Sequence, residues 1–388
     1  MIVASSSWHL PAALATHGPA LAPLVAGAHR FPCRTAWVDA NGELSYRELQ
    51  ALVTAHCGGR RNRAGHRSAG LSDHADRQRV PVDLLAAAAL GRSVFTTSGT
   101  TGAPRSVNQR AGPAALAQRL SLLGSLPVAP APVVACCADL RRGHGFGVFM
   151  ATMAVGGTFV VVDTTDDTAL PPLIDVLSAI PVQLRDLLSS GRLRQSVVTT
   201  VVSGSDRLPA ELAARLTAEW GAAVYDAYGA TEIGTVCLAG PAERRVTPGT
   251  VGRPLAGVRI SVRDHHGRRL TRGAAGVLHV RSAAGRQPFR GDLGRLTCDG
   301  LVMVDGRADD TLSIGGEVVS PNRLREWLSQ IDGIVEVTVD SCPDARFGRR
   351  LIASVRVADG AEVDLTWLRG RARAELGTPH TPKTITQL

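Results

Sequence analysis

Between about residue 130 and residue 235, short apolar β-rich runs alternate with helical stretches, and this rhythm limits the fold more than any other feature. The β runs are Val133–Ala138, Thr158–Val162, Val197–Val202 and Ala223–Tyr225. The helical stretches are Leu170–Ala179, Val182–Leu188 and Pro209–Trp220. Such alternation predicts an α/β sheet with parallel pairs. Each run leads into a polar loop, and ligands of such sheets gather at the carboxyl ends of the strands. Upstream, residues 35–50 read as strand, Asn41-Gly42 turn, strand and helix, with Ser45 as the helix cap. Residues 58–80, rich in Gly, Arg, His and Ser, read as an exposed loop.

Past residue 250 the pattern becomes purely β, with Val258–Arg263 and Val277–Arg281 joined through an Asp264-His265-His266-Gly267 turn. A break at residues 306–310 then precedes a small α+β unit. Ser320 is placed to cap a helix opened by Pro321, whose Leu324, Trp327, Leu328 and Ile331 share one apolar face. Strands follow at Val335–Val339 and Leu351–Val357, and a last helix runs from a cap at Asp364 to a stop at Gly377.

Residues 96–105 read Thr-Thr-Ser-Gly-Thr-Thr-Gly-Ala-Pro-Arg and follow the strand-like Ser93-Val94-Phe95. Glycines let several backbone N–H groups converge on one point and form an anion-binding nest. The hydroxyls add donors without charge, and Arg105 adds a fixed cation suited to phosphate oxygens. This is not the nucleotide P-loop GxxxxGK[ST], which needs a lysine and a following helix. The chain holds a single lysine, Lys383, among its 43 basic residues. Its surroundings, Gly377 to Thr384, come close to that motif, but Pro382 replaces the second glycine and removes an amide donor.

A chain of 388 residues with 44% apolar composition can bury the cores of two or three domains. Its net charge of +9 invites comparison with nucleic-acid-binding proteins. Those cluster basic residues with aromatics, whereas the densest run here, Arg60, Arg61, Arg63 and Arg67, has no aromatic nearby. A nucleic-acid partner is therefore not expected, and the positive field suits an anionic small molecule such as ATP. Seven cysteines without CxxC spacing predict a reducing compartment, with Cys136 and Cys137 in the core. Pro11, Pro19 and Pro23 interrupt the apolar N-terminal stretch, which has no basic leader, so no signal peptide is expected. No apolar run reaches the length of a membrane span. A cytoplasmic location follows as the expectation.

Several motifs stand in one order. Thr97–Arg105 resembles the phosphate loop TSG[ST]TGxPK of the ANL superfamily of AMP-forming adenylating enzymes, with Arg105 in place of the usual lysine. Ser203-Gly204-Ser205 resembles its adenine-contacting glycine turn, and Tyr228-Gly229-Ala230-Thr231-Glu232 its YGxTE motif. Gly291-Asp292-Leu293-Gly294 resembles [ST]GD, and Gly306-Arg307-Ala308-Asp309 the GRxD hinge. The similarity runs from about residue 35 to the last residue of the chain. Each motif alone is weak; five in order are specific.

The resemblance implies a large N-terminal domain of α/β sheets with a small β-barrel-like part, residues 1–306. A small mobile α+β lid, residues 307–388, would follow. It implies an ATP-dependent carboxylate ligase that forms an acyl- or aryl-adenylate. The acyl group then passes to the thiol of CoA or of phosphopantetheine on an acyl carrier protein. Thr97, Ser98, Gly99, Thr100, Thr101 and Gly102 would hold the outer phosphates, with Arg105 as a cation for phosphate oxygens and Thr231 as a donor to the α-phosphate. Glu232 would hold Mg²⁺, which favours one or two carboxylates plus phosphate oxygens. Gly204, Ser205, Tyr228 and Gly229 would contact the adenine end. Asp292 would accept both ribose hydroxyls, with Arg307 beside it. His144 would gate the acyl site, lined by Phe146, Phe149 and Gly229, and Asp309 would be the hinge about which Gly315-Gly316 swing inward. Residues 150–154 offer no Asp for an amine, so the resemblance implies an aryl or fatty acid without an α-amino group.

Two departures stand out. The stretch between Tyr46 and the phosphate loop is about half the family's usual length. The family's late lysine motif PRTxxGK has two alignments here. Either Lys383 is that lysine after a short deletion, or Thr381-Pro382-Lys383-Thr384-Ile385 matches the [VA]P[RK]xxxF stretch before it. The second alignment implies slow adenylation, with thioester formation retained. The alternative to a ligase is a nucleotide-binding homologue acting as a scaffold.

Overall fold

The computed structural model describes residues 21–61, 81–83, 85, 95–97, 105–107, 118, 121–164, 169–264, 266–285, 287–308, 312–314, 317–344 and 348–388. The chain folds as two units. The first comprises Met1–Arg259 with Arg281–Gln287, and the second Ile260–Val280 with Pro288–Leu388.

The first unit is built on a nine-stranded sheet. Its strands are β1 (Thr35–Asp39), β2 (Gly42–Ser45), β5 (Val133–Cys136), β6 (Thr158–Val161), β7 (Leu173–Ala179), β8 (Val197–Gly204), β9 (Ala223–Ala230), β10 (Gly234–Ala239) and β11 (Arg253–Pro254). A separate antiparallel pair joins β3 (Phe95–Thr97) to β4 (Arg105–Val107). The sheet order is β11-β10-β9-β8-β7-β5-β6-β1-β2. The six strands from β9 to β1 run parallel, and β2, β10 and β11 close the edges antiparallel to their neighbours.

Side chains alternate across this sheet. Val134, Val176 and Val202 form one small cluster, whereas Ala135, Leu177, Val201 and Val224 join another. The second cluster is covered by helices Pro181–Ser190 and Ala210–Trp220, through Leu184, Leu187, Leu212 and Leu216. Each such leucine contributes about 1.5–3 kcal/mol on burial. Helix Gly143–Ala154 packs Phe149 and Met153 with Trp37, Tyr46 and Phe159. The expected hairpin forms one residue earlier, with Ala40-Asn41 as its turn and Gly42 paired to Asp39, and Ser45 opens helix Tyr46–Arg61 with a reciprocal cap. The Glu48 N–H donates to Ser45 Oγ at 3.3 Å, and the Ser45 N–H donates to Glu48 at 2.8 Å.

Three further expectations need correction here. Leu173–Ala179, placed within a helical stretch by its sequence, is the central strand β7. Its apolar residues do not alternate because both faces of a central parallel strand are buried. The helix after β2 continues through Arg61, so the start of the expected 58–80 loop is helical; residues 62–80 lie outside the described residues. The barrel-like part is an open sheet, described next.

The second unit contains a four-stranded sheet in the order β12 (Arg259–Arg263), β13 (Gly276–Arg281), β14 (Asp292–Leu296) and β15 (Val302–Arg307). A short hairpin joins β16 (Leu312–Ile314) to β17 (Glu317–Val319). A three-stranded sheet follows: β18 (Ile334–Asp344) antiparallel to β19 (Gly348–Val357), and β20 (Ile385–Gln387) parallel to β19. Helices Pro321–Ser329 and Leu365–Leu376 close its core through Leu324, Leu328, Leu368 and Ala372 against Leu351 and Val355. Asp364 caps the second helix by accepting from the N–H groups of Thr366 and Trp367. Ser320 stands at the start of the first helix, but its hydroxyl donates to the Asp305 carbonyl at 2.9 Å instead of capping. Among the described residues no helix is long and apolar enough to cross a membrane.

Candidate active site

The carboxyl ends of β8 and β9 carry the Ser203-Gly204-Ser205 turn and the Tyr228–Glu232 segment. Helix Gly143–Ala154 begins just beyond β5. A Cβ on Gly145 would lie 2.5 Å from the Asp139 carbonyl oxygen, so glycine is needed for the helix to approach its own entry loop. A Cβ on Gly143 would meet the Thr231 side chain at 3.3 Å, which puts the helix start beside the YGxTE-like segment.

His144 stands between two strand ends. Its Nδ1 is 2.9 Å from Ser205 Oγ after β8, and its Nε2 is 2.9 Å from Ser178 Oγ in β7. Burial pushes the imidazole down to about 4, so the ring is neutral at pH 7. A neutral imidazole donates through one nitrogen and accepts through the other, and either serine hydroxyl can complement it. Gly204 makes room for this ring, since a Cβ there would stand 3.2 Å from His144 Cε1. Ser205 takes a positive φ of 65° to bring its hydroxyl round.

Tyr228, half-buried, and Gly229, exposed, end β9. The strand turns through Thr231, Glu232 and Ile233 into β10, with Ala230 paired to Gly234. Glu232 is exposed at this tip and makes no hydrogen bond or ion pair among the described residues. A cation that takes one or two carboxylates and completes its shell with phosphate oxygens suits such a group. No cluster of three or more His, Cys, Asp or Glu able to hold a metal on protein ligands alone occurs among the described residues. Glu232 by itself supplies one carboxylate of the kind such an ion takes.

Phe146 and Phe149 sit in the aromatic core with Trp37 and Phe159, with Phe146 and Phe149 centroids 6.3 Å apart. Thr97 and Arg105 are register partners in the β3–β4 pair, so the hairpin they close frames the phosphate-loop sequence. Ser98, Gly99, Thr100, Thr101 and Gly102 lie outside the described residues, as do Asp309, Gly315 and Gly316.

In the second unit Asp292 opens β14 and Arg307 closes β15 as its register partner. Asp292 is buried and Arg307 exposed, with 3.7 Å between Nη1 and Oδ1. Lys383 follows the short turn Thr378–His380. Its N–H donates to the Leu351 carbonyl at 2.6 Å, and its ammonium lies 3.5 Å from Asp344.

Two polar residues of the first unit were missed from sequence, Ser178 beside His144 and Gln118. Gln118 is buried, and its amide donates to the carbonyls of Ile233 at 3.2 Å and Thr235 at 2.7 Å. Its carbonyl oxygen accepts from the N–H groups of Ala283 and Ala284. No local motif marks it; only the fold brings these segments together.

The sequence profile of the AMP-binding enzymes matches residues 92–291, more than half of the chain. The chain belongs to the AMP-binding enzyme family. Among relatives of this family, the sulfoacetate–CoA ligase of Cupriavidus necator is 31% identical over 202 residues, 47% of this chain and 39% of that protein. The 2-hydroxy-7-methoxy-5-methyl-1-naphthoate–CoA ligase of Streptomyces carzinostaticus is 28% identical over 270 residues, 60% of this chain and 47% of that protein. This AMP-binding protein thus spans less than half the length of these two curated relatives. ATP-bound MatB from Rhodopseudomonas palustris shares its fold, with a TM-score of 0.70 at 21% identity over 93% of this chain and 94% of that one. The adenylating superfamily and the mixed α/β architecture expected from the motifs both hold.

Proposed function

We propose that this AMP-binding protein joins a carboxylic acid to the α-phosphate of ATP, expels pyrophosphate, and passes the acyl group to a thiol of CoA or of a carrier protein with release of AMP. The observation that carries this reading is the β9–β10 tip, where Thr231 lies against the start of helix Gly143–Ala154 and Glu232 stands exposed beside it.

Two anions must meet for the bond to form, and donors aimed at the developing charge lower that barrier. Thr231 is the proposed donor to the α-phosphate. Glu232 is the proposed Mg²⁺ ligand; the bound ion would neutralise phosphate charge. Thr97 and Arg105, with the loop between them, are assigned to the outer phosphates. Gly204, Ser205, Tyr228 and Gly229 are assigned to the adenine end, Asp292 and Arg307 to the ribose, and Asp309 to the hinge of a lid over residues 307–388. His144, held neutral between Ser178 and Ser205, is assigned to the acyl site. Phe146 is assigned to the same site. The substrate class is an aryl or fatty acid without an α-amino group.

A second reading, a nucleotide-binding homologue with weak or lost adenylation, is favoured by Lys383. Its backbone is tied to β19 and its ammonium to Asp344, which suits the alignment that makes it part of the stretch after the last helix. Carboxylate-dependent exchange of pyrophosphate into ATP, screened over aryl, short-chain and long-chain acids, separates the two. Exchange above the acid-free background supports the ligase, and its absence with every acid supports the second reading.

A further inference from the structure

Gln118 uses all of its hydrogen-bonding capacity on backbone. Two donated bonds fix the carbonyls of Ile233 and Thr235, and the accepted bonds fix the N–H groups of Ala283 and Ala284 at 3.1 and 3.3 Å. Ser282 adds a hydroxyl bond to the same Ile233 carbonyl at 2.8 Å, and its oxygen accepts from the Gly285 N–H. The residues clamped at one end, Ile233 and Thr235, stand just after Thr231 and Glu232 where the chain turns from β9 into β10. A tip that binds a hard cation through one carboxylate depends on its backbone to hold that carboxylate still.

We propose that Gln118 is a positioning residue: it anchors the β9–β10 tip to residues 282–285 and so fixes where Thr231 and Glu232 are presented. This rests on the adenylation reading for its catalytic consequence, but not for the anchoring itself. The amide is specifically required. A glutamate has the same shape and still accepts from Ala283 and Ala284, yet when ionised it donates nothing and faces two carbonyl oxygens. When protonated it regains one donor. Groups that orient a metal ligand from behind typically alter metal affinity or activity by about 10–100-fold when changed.

The test is Gln118→Glu in the full chain. At pH 8, backbone amide exchange over residues 231–235 should quicken about ten-fold or more, with the parallel strands unchanged. The Mg²⁺ concentration for half-maximal pyrophosphate exchange should rise by about ten-fold. At pH 6 both should return toward wild type, because a buried carboxyl facing carbonyls takes up a proton readily. A purely packing role would not give a magnesium shift that acid reverses. Should Gln118→Glu fail to fold at pH 8, Ser282→Ala removes one bond from the same carbonyl, and a smaller shift in the same two readouts is expected. Unchanged amide exchange over 231–235, or an unchanged magnesium requirement beside faster amide exchange, overturns the proposal. A wild-type protein without pyrophosphate exchange defeats the adenylation reading instead, and the amide-exchange result then decides the anchoring by itself.

Discussion

Arg307 holds its guanidinium 3.7 Å from the carboxylate of Asp292, directly across the antiparallel β14–β15 pair. The carboxylate is the buried member and the cation the exposed one, so the pair presents an acceptor steadied by a charge that solvent screens. Asp292→Asn keeps the volume and removes one acceptor. Calorimetry with ATP and with AMP should show affinity lower by about ten-fold or more for both nucleotides, the size of a hydrogen bond to a charged group. Arg307→Met should cost less, as exposed ion pairs contribute about 1 kcal/mol or below. Equal affinities for Asp292→Asn and wild type would remove the ribose assignment.

Gly229 has no space for a side chain. A Cβ there would come 2.3 Å from the Gly234 carbonyl oxygen, which is backbone and cannot turn away. Gly229→Ala should destabilise the β9–β10 hairpin by on the order of 2 kcal/mol and displace Thr231 and Glu232. Gly204→Ala should be milder, since the His144 ring it meets can shift. Chemical denaturation of both variants tests the order, and a Gly204 variant that is the less stable contradicts it.

The pH dependence of stability has a defined sign. Burial lowers His144 and His380 to about 4, with Arg323 and Arg295 adding to the shift at His380. An unfolded imidazole titrates near 6.5. Between these values the unfolded chain binds the proton and the folded chain does not, so stability falls as pH drops through 6.5 towards 4. Asp226 acts in the opposite sense: burial outweighs its 2.9 Å ion pair with Arg244 and raises the carboxyl to about 6. Comparing His144→Gln and His380→Gln with wild type isolates the histidines. Each variant should lose on the order of 1 kcal/mol less than wild type between pH 7 and pH 5 in urea titrations. Parallel losses in all three proteins would show that the imidazoles do not titrate this way.

Lys383→Met should leave pyrophosphate exchange at the wild-type rate and change stability by less than about 1 kcal/mol, because its ion pair with Asp344 is partly exposed. A loss of on the order of 10²–10³ in rate would make Lys383 the charge-stabilising group after all.

Much of the fold is legible because local chemistry and global position agree. The hairpin around Asn41, the Ser45 cap, the Asp364 cap and the helices at Pro181 and Ala210 all declare themselves within a few residues. Leu173–Ala179 does not, because its apolar residues at 173, 174, 176, 177 and 179 satisfy helical spacing, while 174, 176, 177 and 179 are buried across both sheet faces and Leu173 at the strand entry is exposed. Its Asp175 is accommodated by the Val133 N–H at 2.8 Å, a partner 42 residues away that no window reveals. The site divides in the same manner. The motif glycines are readable since each spares a close approach, as Gly143, Gly204 and Gly229 do. Ser178 and Gln118 are invisible until strand order brings them to His144 and to the β9–β10 tip.

The short parallel strand Ile385–Gln387 covers one side of β19 at Ala353, Ser354 and Val355. Proteolytic trimming of that segment would strip a row of backbone donors and acceptors beside apolar side chains. An unprotected ladder of this kind recruits other chains, so clipped protein should precipitate on storage while intact protein stays in solution.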